Sequence, residues 1–227
     1  MARLYFLGGT NIKKGLVKKV YKKVLAEWNS VVLVFPWTAW FTTKRKNKYR
    51  EIIKNYFKSI GAKKVIFAEL SDSLKKIKRK IKSSDLVYLP GGEPRLLVER
   101  IKKRRIDSLL RKHAKTIVVD SAGALVLCEK YAIIKGQGGR PKTTLEPGLE
   151  LVNFTISVHY GSQIESIGGI SSDKEHKSLS KKVKIYAIPE HCALVYDIKN
   201  LKSIGKIYIF DNGKKMVLKN LKENFKK

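Results

Sequence analysis

A serine between a β-branched run and a string of small residues is the first place in this chain where chemistry could be done. Thr116-Ile117-Val118-Val119 leads through Asp120 into Ser121-Ala122-Gly123-Ala124. A sharp strand-to-helix turn at such a point exposes the hydroxyl, and the small residues behind it relieve crowding. The helix N-terminus that follows aims backbone N–H groups at any oxyanion formed there. The same position suits an N-cap serine, and spacing alone divides the two readings evenly. The usual elbow has glycine two residues before the serine, where this chain has Val119.

A serine nucleophile needs a base, and the chain has four histidines. His113 ends a basic helical stretch beside Lys112 and reads as exposed, or as a cation at a helix C-terminus. His176 lies in the polar stretch with Asp173, Lys174 and Glu175 and reads as solvated, while His191 directly follows Glu190. His159 closes the run Phe154-Thr155-Ile156-Ser157-Val158, a strand that lifts its last side chain to the sheet edge. A lone strand-end histidine is more often structural than catalytic. Glu190 follows Ile185-Tyr186-Ala187-Ile188-Pro189 and either orients an imidazole or is a plain surface glutamate. Ser121, His159 and Glu190 thus stand at three strand ends, as a Ser-His-acid triad requires. Gly91-Gly92, after a fourth apolar run, is an ordinary turn or a loop whose N–H groups can approach a carbonyl.

The elements that must position these residues alternate. Strands are expected at Leu4–Leu7, Val31–Phe35, Val65–Phe67, Leu86–Leu89 and Thr116–Val119, with helical periodicity over Lys14–Trp28, Tyr49–Ile60, Leu74–Ile81 and Pro94–Leu110, broken near Arg105. A further helix is expected to run from the elbow to about Cys128. This order predicts an α/β fold, a three-layer sandwich around a mostly parallel central sheet, with the site along the strand C-terminal edge. The remainder is strand-rich, and Asp211-Asn212-Gly213 signals a C-terminal β-hairpin. Gly136–Pro141 reads as a mobile loop and Gly161–Ser180 as a surface loop or lid. No repeat or linker divides the chain, so residues 1–227 are expected to form a single domain.

Composition narrows the classes. Of 227 residues, 49 are Lys or Arg against 19 Asp or Glu, a formal charge of +30, yet 43% are hydrophobic, which excludes a disordered basic tail. The lysines fall mostly on the outer faces of amphipathic helices, and no RNA-binding aromatic signature, zinc-finger spacing or helix-turn-helix accompanies them. Specific nucleic-acid binding is therefore not expected, although salt-sensitive attraction to polyanions is. Cys128 and Cys192 cannot build a disulfide framework and read as small core residues. No apolar run approaches the roughly 18 residues of a membrane span. The apolar start is too short for a secretory signal. A soluble cytoplasmic protein, with no metal site, no cofactor and no membrane partner, is the expectation. Pairing of an edge strand near the C-terminal hairpin leaves a homo-oligomer open.

With these residues in order, the sequence resembles the peptidase E and cyanophycinase family of serine peptidases, whose fold is similar to the class I glutamine amidotransferases (flavodoxin-like). The matching segments are Leu89-Pro90-Gly91-Gly92-Glu93-Pro94, Asp120-Ser121-Ala122-Gly123-Ala124, Val158-His159-Tyr160 and Ala187-Ile188-Pro189-Glu190-His191-Cys192-Ala193-Leu194-Val195. The resemblance implies Ser121 as nucleophile, His159 as general base and Glu190 as its acid partner, with Gly92 and Ala122 donating to the oxyanion. It implies a dipeptidase-like hydrolase acting on small peptides, with Gly91, Glu93, Arg95 and Arg140 as further substrate-binding candidates. Members that cleave after an N-terminal Asp carry basic residues shortly beyond the histidine, and Gly161–Ser166 has none. An acidic preference would then rest on Arg95 or Arg140. Trp37–Phe41 and Gly136–Arg140 are expected to roof the cleft. Two other readings stay open: a non-catalytic amidotransferase-like module binding a ligand at the same edge, and a polyanion-binding protein using its Lys-rich helices.

Overall fold

The computed structural model describes residues 3–10, 21, 31–39, 43–113, 115–162, 173–197 and 200–218. Continuous β-branched and aromatic runs form its centre. β1 (Arg3–Leu7), β2 (Val31–Val34), β3 (Lys64–Phe67), β4 (Leu86–Leu89) and β5 (Thr116–Asp120) lie parallel in the order β1-β5-β4-β2-β3. Two antiparallel strands, β10 (Ala193–Tyr196) and β11 (Leu201–Ile204), extend the β1 edge to give seven strands.

Both faces of this sheet are covered, which is why its strands read as unbroken apolar runs. Phe6, Leu33, Val87, Leu89, Ile117 and Val119 point into one core, with Ile77 and Ile81 of helix α2 (Leu74–Ser83) and Leu97 and Ile101 of α3 (Pro94–Lys103). Tyr5, Val32, Val34, Tyr88 and Val118 alternate to the other face, against Ile53 and Phe57 of α1 (Thr43–Ser59) and the buried Tyr21. The expected three layers are therefore present. On α2 Lys75, Lys76, Lys78 and Lys82 are exposed while Ile77 and Ile81 are buried, the amphipathic pattern that the sequence carries. The break near Arg105 separates α3 from α4 (Asp107–Arg111), with Arg105 at φ 53°.

The rest of the chain departs from a single sheet. β8 (Thr155–Tyr160) and β9 (Ile185–Pro189) are parallel to each other in a second sheet, ordered β13-β12-β9-β8, with β12 (Tyr208–Asp211) and β13 (Lys214–Val217) as the expected C-terminal hairpin. A short hairpin, β6 (Lys130–Ile133) with β7 (Thr144–Pro147), was not legible, since Glu146 and Pro147 are poor strand formers.

The helix after the elbow, α5 (Ala122–Val126), ends before Cys128. Its last carbonyls are taken by a returning segment: Leu149 N–H donates to Val126 O at 2.8 Å, Leu151 N–H to Leu127 O at 2.8 Å and Glu150 N–H to Cys128 O at 3.1 Å. Within the expected loop at Gly161–Ser180, residues 173–179 form helix α6 (Asp173–Leu179), while 163–172 lie outside the described residues. The expected helix over Lys14–Trp28 also lies outside them, apart from Tyr21. No described helix is long and apolar enough to cross a membrane.

One close approach fixes how α5 meets the sheet. A Cβ built on Gly123 would sit 2.1 Å from Leu89 O and 2.7 Å from its carbonyl carbon, contacts with backbone that cannot swing aside. Gly123→Ala is expected to destabilise the protein by about 1–3 kcal/mol, measured by urea denaturation with an unchanged m-value.

Candidate active site

Ser121 leaves β5 with φ 51° and ψ −113°, a conformation that an L-residue holds only under constraint. Its N–H donates to Leu7 O at 3.0 Å, and its carbonyl accepts from Ala124 N at 2.9 Å and Leu125 N at 3.1 Å. These bonds tie the bend to β1 on one side and to α5 on the other. Val119, where glycine is usual, is fully buried in the central core and does not crowd the bend. Room comes from elsewhere: a Cβ on Gly91 would meet Ser121 Cβ at 3.2 Å, and Gly123 takes the close pass at Leu89.

His159 comes from the second sheet. The β8–β9 pairing is irregular between Val158 and Tyr160, and His159 has φ 57°. This bulge turns the imidazole toward the first sheet. Its backbone N–H donates to Gly8 O at 2.7 Å, just past the end of β1. The next residue fixes the ring, because a Cβ on Gly9 would lie 2.3 Å from His159 Cε1. In that setting His159 Nε2 lies 2.7 Å from Ser121 Oγ, and Nδ1 lies 3.1 Å from Glu190 Oε1. Ser162 Oγ donates to the same Glu190 oxygen at 3.2 Å. Glu190 is placed by a turn in which His191 (φ 64°) donates its N–H to Gly9 O at 3.1 Å.

Burial holds the His159 pKa below the ordinary imidazole value, against the opposing pull of Glu190. The ring is therefore neutral at pH 7. With Nδ1–H donating to Glu190, Nε2 is left as an acceptor for the serine proton. The three residues form a continuous hydrogen-bonded chain from hydroxyl to carboxylate.

Beside Ser121 a cavity of about 190 Å³ is lined by Gly92, Glu93, Ala122 and Arg140, with Leu125 and Ile133 among its apolar walls. Gly92 has φ +138°. A Cβ there would strike Thr38 Cβ at 2.6 Å. Thr38 itself braces the loop: its hydroxyl donates to Gly91 O at 2.6 Å and its carbonyl accepts from Glu93 N at 2.8 Å. Arg140 Nη2 reaches Glu93 Oε1 at 3.3 Å across the mouth. The segment expected as a loop at Gly136–Pro141 contains a 3₁₀ turn at Gln137–Gly139. It is anchored by the buried Gln137, which donates to Val158 O at 2.7 Å and accepts from Ile134 N at 3.0 Å.

Ser121, His159, Glu190, Gly91, Gly92, Ala122, Glu93 and Arg140 are thus brought together, and Arg95 is not. Its guanidinium pairs with Glu146 at 2.6 Å outside the cavity, an ion pair that holds the Glu146 carboxyl below its usual range. Trp37 does not roof the cleft. It is 1% exposed in the core and donates its indole N–H to Ala68 O at 2.9 Å, while residues 40–42 lie outside the described residues.

Two other histidines also differ from expectation. His113 is buried, and burial lowers its pKa. His176 is fully buried, 2.8 Å from Ser157 Oγ, because α6 packs it edge-on to Tyr160 and against Phe210. Thr38 and Gln137, expected only as parts of the roof within Trp37–Phe41 and Gly136–Arg140, instead act as a brace and an anchor. Sequence reasoning missed Ser162 and the Gly8-Gly9-Thr10 turn as parts of the site; only the turn had a signal, a glycine pair at a strand end like Gly91-Gly92. Among the described residues no cluster of His, Cys, Asp and Glu could hold a metal ion.

Comparison with known proteins gives the chain a family and a fold. Peptidase family S51 matches residues 7–204. An uncharacterised peptidase of Listeria monocytogenes is 25% identical over 191 residues, spanning 79% of this chain and 82% of its own. A second, from Listeria innocua, is 25% identical over 154 residues, 65% of this chain and 72% of that one. The crystal structure of a peptidase from an acI-B1 actinobacterium superposes with a TM-score of 0.74 at 16% identity, covering 96% of this chain and 94% of the other. A Listeria monocytogenes protein assigned to peptidase E superposes at 0.68 with 21% identity, covering 90% and 98%.

The two influences on His159 can be separated. Glu190→Gln removes the one that raises the imidazole pKa and leaves burial, so the pKa is expected to fall below that of the parent protein. An NMR titration of the His159 Cε1–H resonance reads this directly.

Proposed function

Because the chain belongs to peptidase family S51, we propose that it is a serine peptidase of the peptidase E type that hydrolyses short peptides, with Ser121 as nucleophile, His159 as general base and acid, and Glu190 as the residue that orients the imidazole. The observation that carries this reading is the 2.7 Å approach of Ser121 Oγ to a neutral His159 Nε2, itself backed by Glu190. In the first step Nε2 takes the hydroxyl proton as Oγ attacks the scissile carbonyl. The imidazolium so formed is stabilised by Glu190 and then gives its proton to the departing amine. Gly92 and Ala122 line the cavity beside Oγ, and their N–H groups are the donors proposed for the tetrahedral oxyanion. Water then repeats the sequence on the acyl-enzyme, with His159 again as base.

Substrate size follows from the space beside the nucleophile. A cavity of about 190 Å³ suits one side chain and a free amine rather than an extended polypeptide. Its apolar walls end at Glu93 and Arg140, so the cavity offers Arg140 as the cation for an acidic N-terminal residue and Glu93 as the anion for the amine. Arg95, engaged with Glu146, has no part in this proposal.

Profiling across dipeptides that differ in the N-terminal residue tests both levels. Ser121→Ala is expected to lower kcat by at least about 10³-fold on every dipeptide cleaved; parent-like turnover by this variant would refute the mechanism. Arg140→Met is expected to reduce kcat/KM for Asp-X dipeptides by on the order of tenfold relative to Leu-X, as loss of a charge-assisted contact would. Equal losses on both would remove Arg140 from specificity while leaving the chemistry intact.

A further inference from the structure

Asp120 is the last residue of β5 and the backbone neighbour of Ser121, yet the chemistry above does not use it. It is 5% exposed. Its Oδ2 accepts from the Thr10 hydroxyl at 2.5 Å and lies 3.4 Å from the Tyr88 hydroxyl, while the buried Oδ1 has no hydrogen-bond partner among the described residues. The groups facing it are the Thr10 hydroxyl and amide from the turn after β1 and Tyr88 from β4. Tyr21, and Tyr49 and Tyr56 of α1, act on it from the covering layer, and Glu190 acts from the end of β9. A carboxylate buried among hydroxyls, with one oxygen unsatisfied, is costly to keep.

What that carboxylate grips is the turn that sets the base. Thr10 follows Gly8 and Gly9. Gly8 O holds the His159 backbone, Gly9 O holds His191 beside Glu190, and the Gly9 Cα lies against the imidazole ring. We propose that Asp120 is a positioning residue of the active centre: by clamping Thr10, its carboxylate fixes the Gly8–Gly9 turn and hence the register of His159 against Ser121. This rests on the reading of Ser121 and His159 as nucleophile and base.

The clamp depends on charge. The ionised Oδ2 makes a charge-assisted bond to Thr10, and a proton arriving on the unpartnered Oδ1 turns Oδ2 into a neutral, weaker acceptor. Burial pushes the Asp120 pKa up to about 6, with the Thr10 and Tyr88 hydroxyls opposing and Glu190 adding to the rise. The competent form is therefore present above that pH and is lost as pH falls through it. Protonation of His159 removes activity in the same direction, so the acid side of the profile carries two steps: one at Asp120 that weakens the centre and one at His159 that switches it off.

The rate of inactivation by a rhodamine-linked fluorophosphonate, which needs no identified substrate, reads this between about pH 4.5 and 9. For the parent, the logarithm of the second-order rate constant is expected to combine the unit-slope fall of His159 protonation with a further drop of about one log unit as Asp120 takes a proton at about pH 6. Asp120→Asn should lack that further drop and fall with unit slope alone, from a plateau already lower by on the order of tenfold. Thr10→Val, which keeps the carboxylate but removes the hydroxyl it grips, should likewise start from a lowered plateau and show a diminished further drop. The further drop retained in Asp120→Asn, a parent profile of unit slope alone, or a Thr10→Val profile superimposable on the parent's would each overturn the proposal. Ser121→Ala separates the levels. If it still reacts, the nucleophile assignment itself fails; if it is inert while Asp120→Asn keeps the parent's profile, only the clamp is lost.

Discussion

The 2.7 Å approach of Ser121 Oγ to His159 Nε2 joins two sheets that share no strand pairing among the described residues. Each partner is set by its own sheet, and each sheet needs a backbone irregularity to turn its side chain toward the other. Ser121 is driven to φ 51° where β5 meets α5, and His159 to φ 57° at the bulge in β8. Neither conformation favours itself, so the surrounding bonds must hold both. The seam between the sheets is the end of β1. Leu7 O accepts from Ser121 N at 3.0 Å and Gly8 O accepts from His159 N at 2.7 Å, so consecutive carbonyls where β1 ends position both members of the pair.

That seam explains why glycines gather where they do. A Cβ on Gly8 would meet Pro189 O at 2.2 Å, and one on Gly9 would enter the imidazole. The turn after β1 must therefore be bare for His159 and the Glu190 turn to close over it. The electrostatic consequence is an imidazole enclosed enough for burial to outweigh its carboxylate partner, which holds its pKa below the ordinary value. Among the described residues no lysine lines the cavity, and Arg140 is its one cation; Lys75, Lys76, Lys78 and Lys82 of α2, for example, are exposed opposite buried Ile77 and Ile81.

Much of the fold was legible because buried parallel strands have a plain signature. Val31-Val32-Leu33-Val34, Leu86-Val87-Tyr88-Leu89 and Thr116-Ile117-Val118-Val119 are apolar throughout, since both faces of the sheet are covered. The candidate site residues could be named because strand ends are where an α/β sheet presents side chains. The division into two sheets was not legible, because β8 and β9 carry the same apolar pattern as the central strands and pairing partners leave no mark on a strand's own composition. Residue type and spacing picked out His159 but read His176 as solvated, whereas it is buried in the core. Each histidine faces a serine, at 2.7 Å and 2.8 Å, but the Ser157–His176 pair is sealed in the core where no substrate reaches. Burial, a property of the folded chain, makes that distinction. Val119 shows the reverse: the sequence marks it as a departure from the usual elbow, and the structure makes room at Gly91 and Gly123 instead.

The account stands on one activated hydroxyl facing two backbone donors. A crystal structure of the protein after reaction with a fluorophosphonate tests it most directly. The account predicts phosphorus bonded to Ser121 Oγ, with a phosphonyl oxygen about 2.7–3.1 Å from the Gly92 and Ala122 nitrogens and His159 still paired with Glu190. Phosphorus bonded to any other residue, or a phosphonyl oxygen turned to solvent away from both nitrogens, would contradict it.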